Sequence, residues 1–263
     1  MNDNEYFKNT VLTPHKTVLC NDTFYRTFGE IERNVPITDD ISYVTNSFGH
    51  RSDEFKKNHD GLHILFAGCS VTFGEGLPYM SNWSGKLYNK ISKDFKTSGY
   101  FNLSFLGGST ELIISNVNKY IINYGSPDIL FIHIPESIRG MFYSSGYQYY
   151  ISRDNKELKK QNLWYIYNMM LSLEIACKYA NIKLLWTTWD EKDNEFYEAV
   201  SCLDGFIPIT HADIYISSNN KEEKKYNYYG IGRDNAHPGL KYSDGLSNIF
   251  YKEMIKRWPE LKG

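Results

Sequence analysis

Short apolar, β-branched runs alternate along this chain with helical patterns. No other feature constrains the fold as much, because that rhythm belongs to a parallel sheet covered by helices on both faces. Residues 62–67, 100–103, 128–134 and 182–188 read as buried strands, the third stopped by Pro135. Between them, Trp83, Leu87 and Ile91 mark a helix over 83–95. A second helix is expected over 110–124, with Ser109 or Thr110 as its cap and Glu111 in its first turn, and a third over 161–181. A short strand is expected near 205–207 and a closing helix over 241–257. With right-handed crossovers these elements assemble as an α/β fold, a three-layer α/β/α sandwich around a central, mostly parallel sheet of about five strands.

At 263 residues, 23% charged and 41% hydrophobic, the chain is long enough to build one sizeable core. Residues 1–60 are expected as an N-terminal extension packed on a main domain of residues 61–263, which carries insertions at 138–160 and 190–233. A net charge of −2 supplies no basic field for nucleic acid, and no apolar run approaches the roughly 20 residues that span a bilayer. Without a secretory signal at the N-terminus, a soluble protein, cytoplasmic or non-classically exported, is expected. Four widely spaced cysteines with no CxxC pair read as free thiols.

Ligands of an open parallel sheet bind beyond the carboxyl ends of its strands, so the loops there carry the chemistry. After the first strand, Gly68-Cys69-Ser70-Val71-Thr72-Phe73-Gly74 places glycines on both sides of Ser70, which lets a substrate approach the hydroxyl. Taken alone, it is also what a strand-to-helix turn with a capping serine looks like. After the second strand, Gly107 and Gly108 leave backbone amides near a helix start, suited to hold an oxyanion, although a tight turn before a helix has the same pattern. After the third, Glu136, Ser137 and Arg139 offer a carboxylate, a hydroxyl and a guanidinium. Asp234-Asn235-Ala236-His237-Pro238 then sets an Asp and a His in one turn. The carboxylate of such a pair can hold imidazole Nδ1 and leave Nε2 free to take a proton.

Other constellations are poorer. There is no GxxxxGK[ST] or GxGxxG for a nucleotide cofactor and no GxSxG elbow. His133 with Glu136 lacks a second pair of metal ligands and reads as a core histidine. His211, Glu75 and Asp213 read as surface or packing residues, and 221–225 as a solvated loop.

From about Ile64 to Ile255 the chain resembles the SGNH (GDSL-like) hydrolases. Gly68-Cys69-Ser70 with Thr72 and Gly74 resembles the family's first block, Gly-Asp-Ser-x-[TS]-x-G, with Cys69 in place of Asp. Asn102 through Gly107-Gly108 is similar to the second block, and Asp234, His237 and Pro238 to the fifth. The third block departs: Pro135-Glu136-Ser137-Ile138 stands where the family has Gly-x-Asn-Asp, so the side-chain amide of the oxyanion hole is missing. Ser137 falls at the asparagine's place and Arg139 lies nearby. Residues 43–51 are loosely similar to a segment preceding the first block in some bacterial and phage members.

The resemblance implies a flavodoxin-like hydrolase fold and a serine esterase acting on acyl or acetyl esters, with Ser70 as nucleophile, His237 as base and Asp234 orienting it. The oxyanion hole would draw on Ser70, Gly107, Gly108, Ser137 and Arg139. No metal or organic cofactor is implied. Tyrosines of the first insertion, Tyr143 and Tyr147 among them, suit stacking on a sugar, so a small-molecule or glycan ester is the expected partner. The alternative is a non-catalytic glycan-binding or structural module, for example phage-associated, on the same scaffold. Acyl transfer to an alcohol would use the same residues as hydrolysis.

Overall fold

The computed structural model describes residues 17–19, 42–137, 139–141, 148–150, 156–190, 195–219, 224, 229–232 and 237–262. Its strands are β1 (Thr17–Leu19), β2 (Ser42–Val44), β3 (Ile64–Gly68), β4 (Phe101–Asn102), β5 (Ile129–Ile134), β6 (Arg139–Met141), β7 (Gln148–Tyr150) and β8 (Lys183–Thr188). The helices are α1 (Ser70–Phe73), α2 (Trp83–Asp94), α3 (Thr110–Tyr124), α4 (Lys156–Tyr179), α5 (Glu195–Val200), α6 (His211–Ile216) and α7 (Leu240–Arg257). A 3-10 turn at Pro259–Lys262 follows.

The central sheet has four strands in the order β4-β3-β5-β8, every neighbouring pair parallel. Side-chain alternation along these strands sorts the helices into two layers. Leu65, Ala67, Leu130, Ile132, Leu184 and Trp186 point to one face, which α3, α4 and α5 cover with Ile113, Val117, Ile166, Met170 and Phe196. Ile64, Phe66, Ile129, Phe131 and Leu185 point to the other, covered by Trp83, Leu87 and Ile91 of α2 and by Leu246, Phe250 and Met254 of α7. The result is the expected three-layer α/β/α sandwich with a parallel sheet.

The expected strand at 205–207 shrinks to a parallel bridge between Trp186 and Phe206, in which Trp186 N donates to Gly205 O (2.9 Å) and Ile207 N to Trp186 O (2.8 Å). Pro208 has no N–H to continue the ladder. Helix α4 begins at Lys156, ahead of the expected 161, since 156–160 are strong helix formers. Glycine at 245 lets α6 lie against α7, because a Cβ there would sit 1.8 Å from Ile214 O. Asp213 is a capping residue: its carboxylate accepts from Thr210 N while Thr210 Oγ1 accepts from Asp213 N, a closed box at the start of α6.

Two antiparallel ribbons stand apart from the central sheet. One is β1 with β2; the other, β6 with β7, lies inside the first insertion. Between β2 and β3, Phe55 joins the core beside Phe101 and Tyr120, and Arg51 is 2% exposed. Among the described residues no helix is long and apolar enough to cross a membrane. Cys69 and Cys177 are buried free thiols, Cys202 an exposed one.

Candidate active site

The site lies where the strands of the central sheet end. Strand β3 runs through Gly68 directly into α1, whose first residue is Ser70. Gly68 has no alternative there, because a Cβ would stand 2.0 Å from Thr72 Oγ1 and 2.8 Å from His133 O. The N-cap of α1 is Cys69, in extended backbone and without a side-chain cap bond, so Ser70 is not a capping serine. The residue is 5% exposed, and its hydroxyl instead lies 2.8 Å from His237 Nε2. Burial pushes the neighbouring Cys69 thiol up from its ordinary value, which keeps it protonated and a poor nucleophile.

His237 is presented by a small antiparallel turn ahead of α7. Gly232 N donates to His237 O (2.8 Å), Gly239 N to Gly230 O (3.0 Å) and Lys241 N to Tyr229 O (2.8 Å), with Ile231 bridged to Pro238. These bonds aim the imidazole at a serine far away in the chain. Asp234 lies outside the described residues, as do Tyr143 and Tyr147 of the first insertion.

The loop after β4 is built by Asn102. Its Nδ2 donates to Tyr100 Oη (2.8 Å) and Thr72 O (3.3 Å), and its Oδ1 accepts from Ser104 N (3.0 Å), which ties this loop to the turn that carries Ser70. Gly107 holds a left-handed φ of 69°, and a Cβ on Gly108 would meet the Phe105 ring at 2.7 Å, so both positions demand glycine. Ser109 takes the N-cap position of α3 without a side-chain cap bond. The hydroxyls of Ser104, Ser109 and Thr110 are buried and have no hydrogen-bond partner among the described residues.

After β5, Ser137 is fully buried and committed. Its N and Oγ both donate to the Asp190 carboxylate (2.9 and 3.1 Å), which also accepts from Thr188 Oγ1 (3.1 Å). Burial pushes Asp190 up to about 6 although these donors pull the other way. Arg139 Nη2 donates to Glu136 Oε2 (3.0 Å) and Nη1 to Gly108 O (3.4 Å), so its guanidinium bridges the second and third loops.

Two residues gain a position that sequence reasoning did not give them. Glu75, read as surface or packing, is 4% exposed, and its Oε2 lies 3.4 Å from His237 Nε2. Its spacing of five from Ser70 was the available signal. Arg51, given no role, donates to the carbonyls of Phe73 (3.3 Å), Gly74 (2.9 Å) and Leu77 (2.9 Å) and braces the same turn. His133 is a core residue, its Nε2 3.3 Å from Tyr242 Oη, and the described residues contain no cluster of three metal-ligating groups.

The chain is similar to a solved esterase. That structure is the psychrotrophic esterase EstA from Pseudoalteromonas sp., in a form inhibited by monoethylphosphonate. It matches at 15% identity and TM-score 0.46 over 75% of this chain and 98% of that one. TesA matches at 15% identity and TM-score 0.46, over 76% of this chain and 97% of that one. No protein-family model and no curated protein sequence matches. At 15% identity neither structure transfers a residue role to this chain.

Proposed function

We propose that this protein is an SGNH-type serine ester hydrolase. The observation that carries the reading is the 2.8 Å contact between Ser70 Oγ and His237 Nε2 at the carboxyl end of a parallel sheet. A serine becomes a nucleophile when a base within hydrogen-bond reach takes its proton.

Ser70 Oγ attacks the acyl carbon as His237 Nε2 takes the hydroxyl proton. The tetrahedral oxyanion is held by the backbone amides of Ser70 and Gly107, with Gly108 beside them. A preorganised donor of this kind contributes roughly 3 kcal/mol. Arg139, tied to Gly108 O and close to Ser137 at the asparagine's place, supplies positive charge there. Ser137 contributes less, since Asp190 already takes its amide and hydroxyl hydrogens. His237 returns the proton to the departing alcohol. Water then repeats the sequence on the acyl-serine, releasing the acid and restoring Ser70. Asp234 orients His237 through Nδ1. The finer form of the proposal is an acyl or acetyl ester on a carbohydrate, with Tyr143 and Tyr147 stacking on sugar rings.

A second reading, a non-catalytic glycan-binding or structural module, is favoured by the commitment of Ser137 to Asp190. Fluorophosphonate labelling followed by peptide mapping separates the two. A hydrolase takes the label at Ser70, and both Ser70→Ala and His237→Ala abolish it. A binding module takes no label at Ser70 in the wild type.

A further inference from the structure

Glu75 sits in a turn that is unusually well fixed. Helix α1 ends at Gly74 in left-handed backbone (φ 81°), where Gly74 N and Glu75 N both donate to Ser70 O (2.9 and 3.1 Å). Arg51 grips the carbonyls of Phe73, Gly74 and Leu77, its guanidinium 4.9 Å from the centre of the Tyr43 ring, and Gly76 N donates to Tyr43 Oη (2.7 Å). Nucleophile and carboxylate are therefore carried on one rigid turn. The carboxylate is withdrawn from solvent, and Oε2 stands 3.4 Å from the nitrogen that faces Ser70 Oγ.

We propose that Glu75 is a positioning residue of this reaction, acting through His237: its carboxylate faces the Nε2 edge and stabilises the imidazolium that forms when Ser70 gives up its proton. The proposal rests on the hydrolase reading above. The proton leaves Ser70 Oγ, resides on Nε2 and passes to the leaving alkoxide, while Glu75 stays ionised throughout and takes no proton. An opposite charge within about 4–6 Å favours the charged form of a titratable group, by about 1–3 pH units at well-paired sites. Such a carboxylate makes His237 a stronger base and also holds it protonated to higher pH. Among the described residues, the ionisable groups on elements packed around the turn include Tyr43, Arg51 and Tyr79, Cys69, Glu136 and Arg139 after β5, and Tyr229 before α7. Arg51 is engaged by backbone carbonyls and Arg139 by Glu136.

The test is the rate of fluorophosphonate labelling of Ser70 against pH, in wild type and Glu75→Gln. The expected result is a lower alkaline plateau and an acid limb displaced downward by about one pH unit. A turn that merely lost packing would lower the rate without moving the limb. An unmoved limb in Glu75→Gln overturns the proposal and leaves the hydrolase reading standing, whereas a wild type that takes no label at any pH overturns both. Should Glu75→Gln not fold, Glu75→Asp, which retracts the charge by one methylene, replaces it: a smaller downward shift supports the proposal, and no shift overturns it.

Discussion

Lowering the pH from 7 to 5 should destabilise this protein by about 2–3 kcal/mol, through two histidines that the fold holds neutral. His133 is fully buried among the rings of Trp83, Trp189 and Tyr242, and His63 is stacked on His59 with its Nε2 2.9 Å from Tyr120 Oη. Burial pushes both down to about 3. Between that value and an unfolded value near 6.5, the unfolded chain binds more protons, so the stability present above about pH 6.5 is lost as the pH falls. At 1.36 kcal/mol per unit, each histidine costs about 2 kcal/mol by pH 5, about 4 for the pair. Asp190 opposes them: pushed up to about 6, it binds a proton more readily when folded, and acidification to pH 5 returns about 1 kcal/mol. The histidines win. Urea midpoints at pH 7, 6 and 5 would measure the loss, which should appear with an unchanged m-value. His63→Gln, which no longer titrates, should remove about half of the histidine cost at pH 5. A flat midpoint across this range, or a slope that His63→Gln leaves intact, would refute the reasoning.

Gly245→Ala places a methyl 1.8 Å from Ile214 O and should separate α6 from α7, with a loss of about 1–3 kcal/mol in urea unfolding, while Gly230→Ala, which meets nothing within 4 Å, serves as the control. Arg51→Met leaves three buried carbonyls without their cationic donor; a loss of about 3 kcal/mol or more is expected, and Ser70 labelling should slow even in the fraction that remains folded. Labelling lost in His237→Ala and retained in His211→Ala would separate the histidine that faces Ser70 from one packed against Trp189, 4.4 Å between ring centres.

The sheet was legible because its strands are buried on both faces and therefore carry near-continuous apolar runs. Leu130, Phe131 and Ile132 leave little room for another assignment. The edges were harder. A single Pro208 turns the fifth strand into a bridge, and the start of α4 carries no stop signal that would place it at 156 instead of 161. Ser70 and His237 were named from local patterns whose union depends on topology, and the fold brings them together at 2.8 Å. Ser137 was placed by the family resemblance but not by partner, since Asp190 comes from another strand's loop and no local pattern announces the contact. Glu75 shows the same blind spot in reverse. A charged residue in a glycine-rich turn looks solvated until Arg51 and Tyr43, contributed by the segment before β3, close over that turn.

Ser70 and His237 lie 167 residues apart, and His237 directly precedes α7, the helix that packs across α2. A chain synthesised from its N-terminus at about 5–20 residues per second thus produces the serine roughly 10–30 seconds before the histidine exists. The sheet can assemble first, because β3, β4, β5 and β8 all precede residue 189. Only the turn ahead of the last helix brings His237 to Ser70. Under the proposed mechanism, a ribosome-bound fragment that ends before residue 237 carries Ser70 with no imidazole beside it, so labelling of Ser70 waits for residue 237 to emerge.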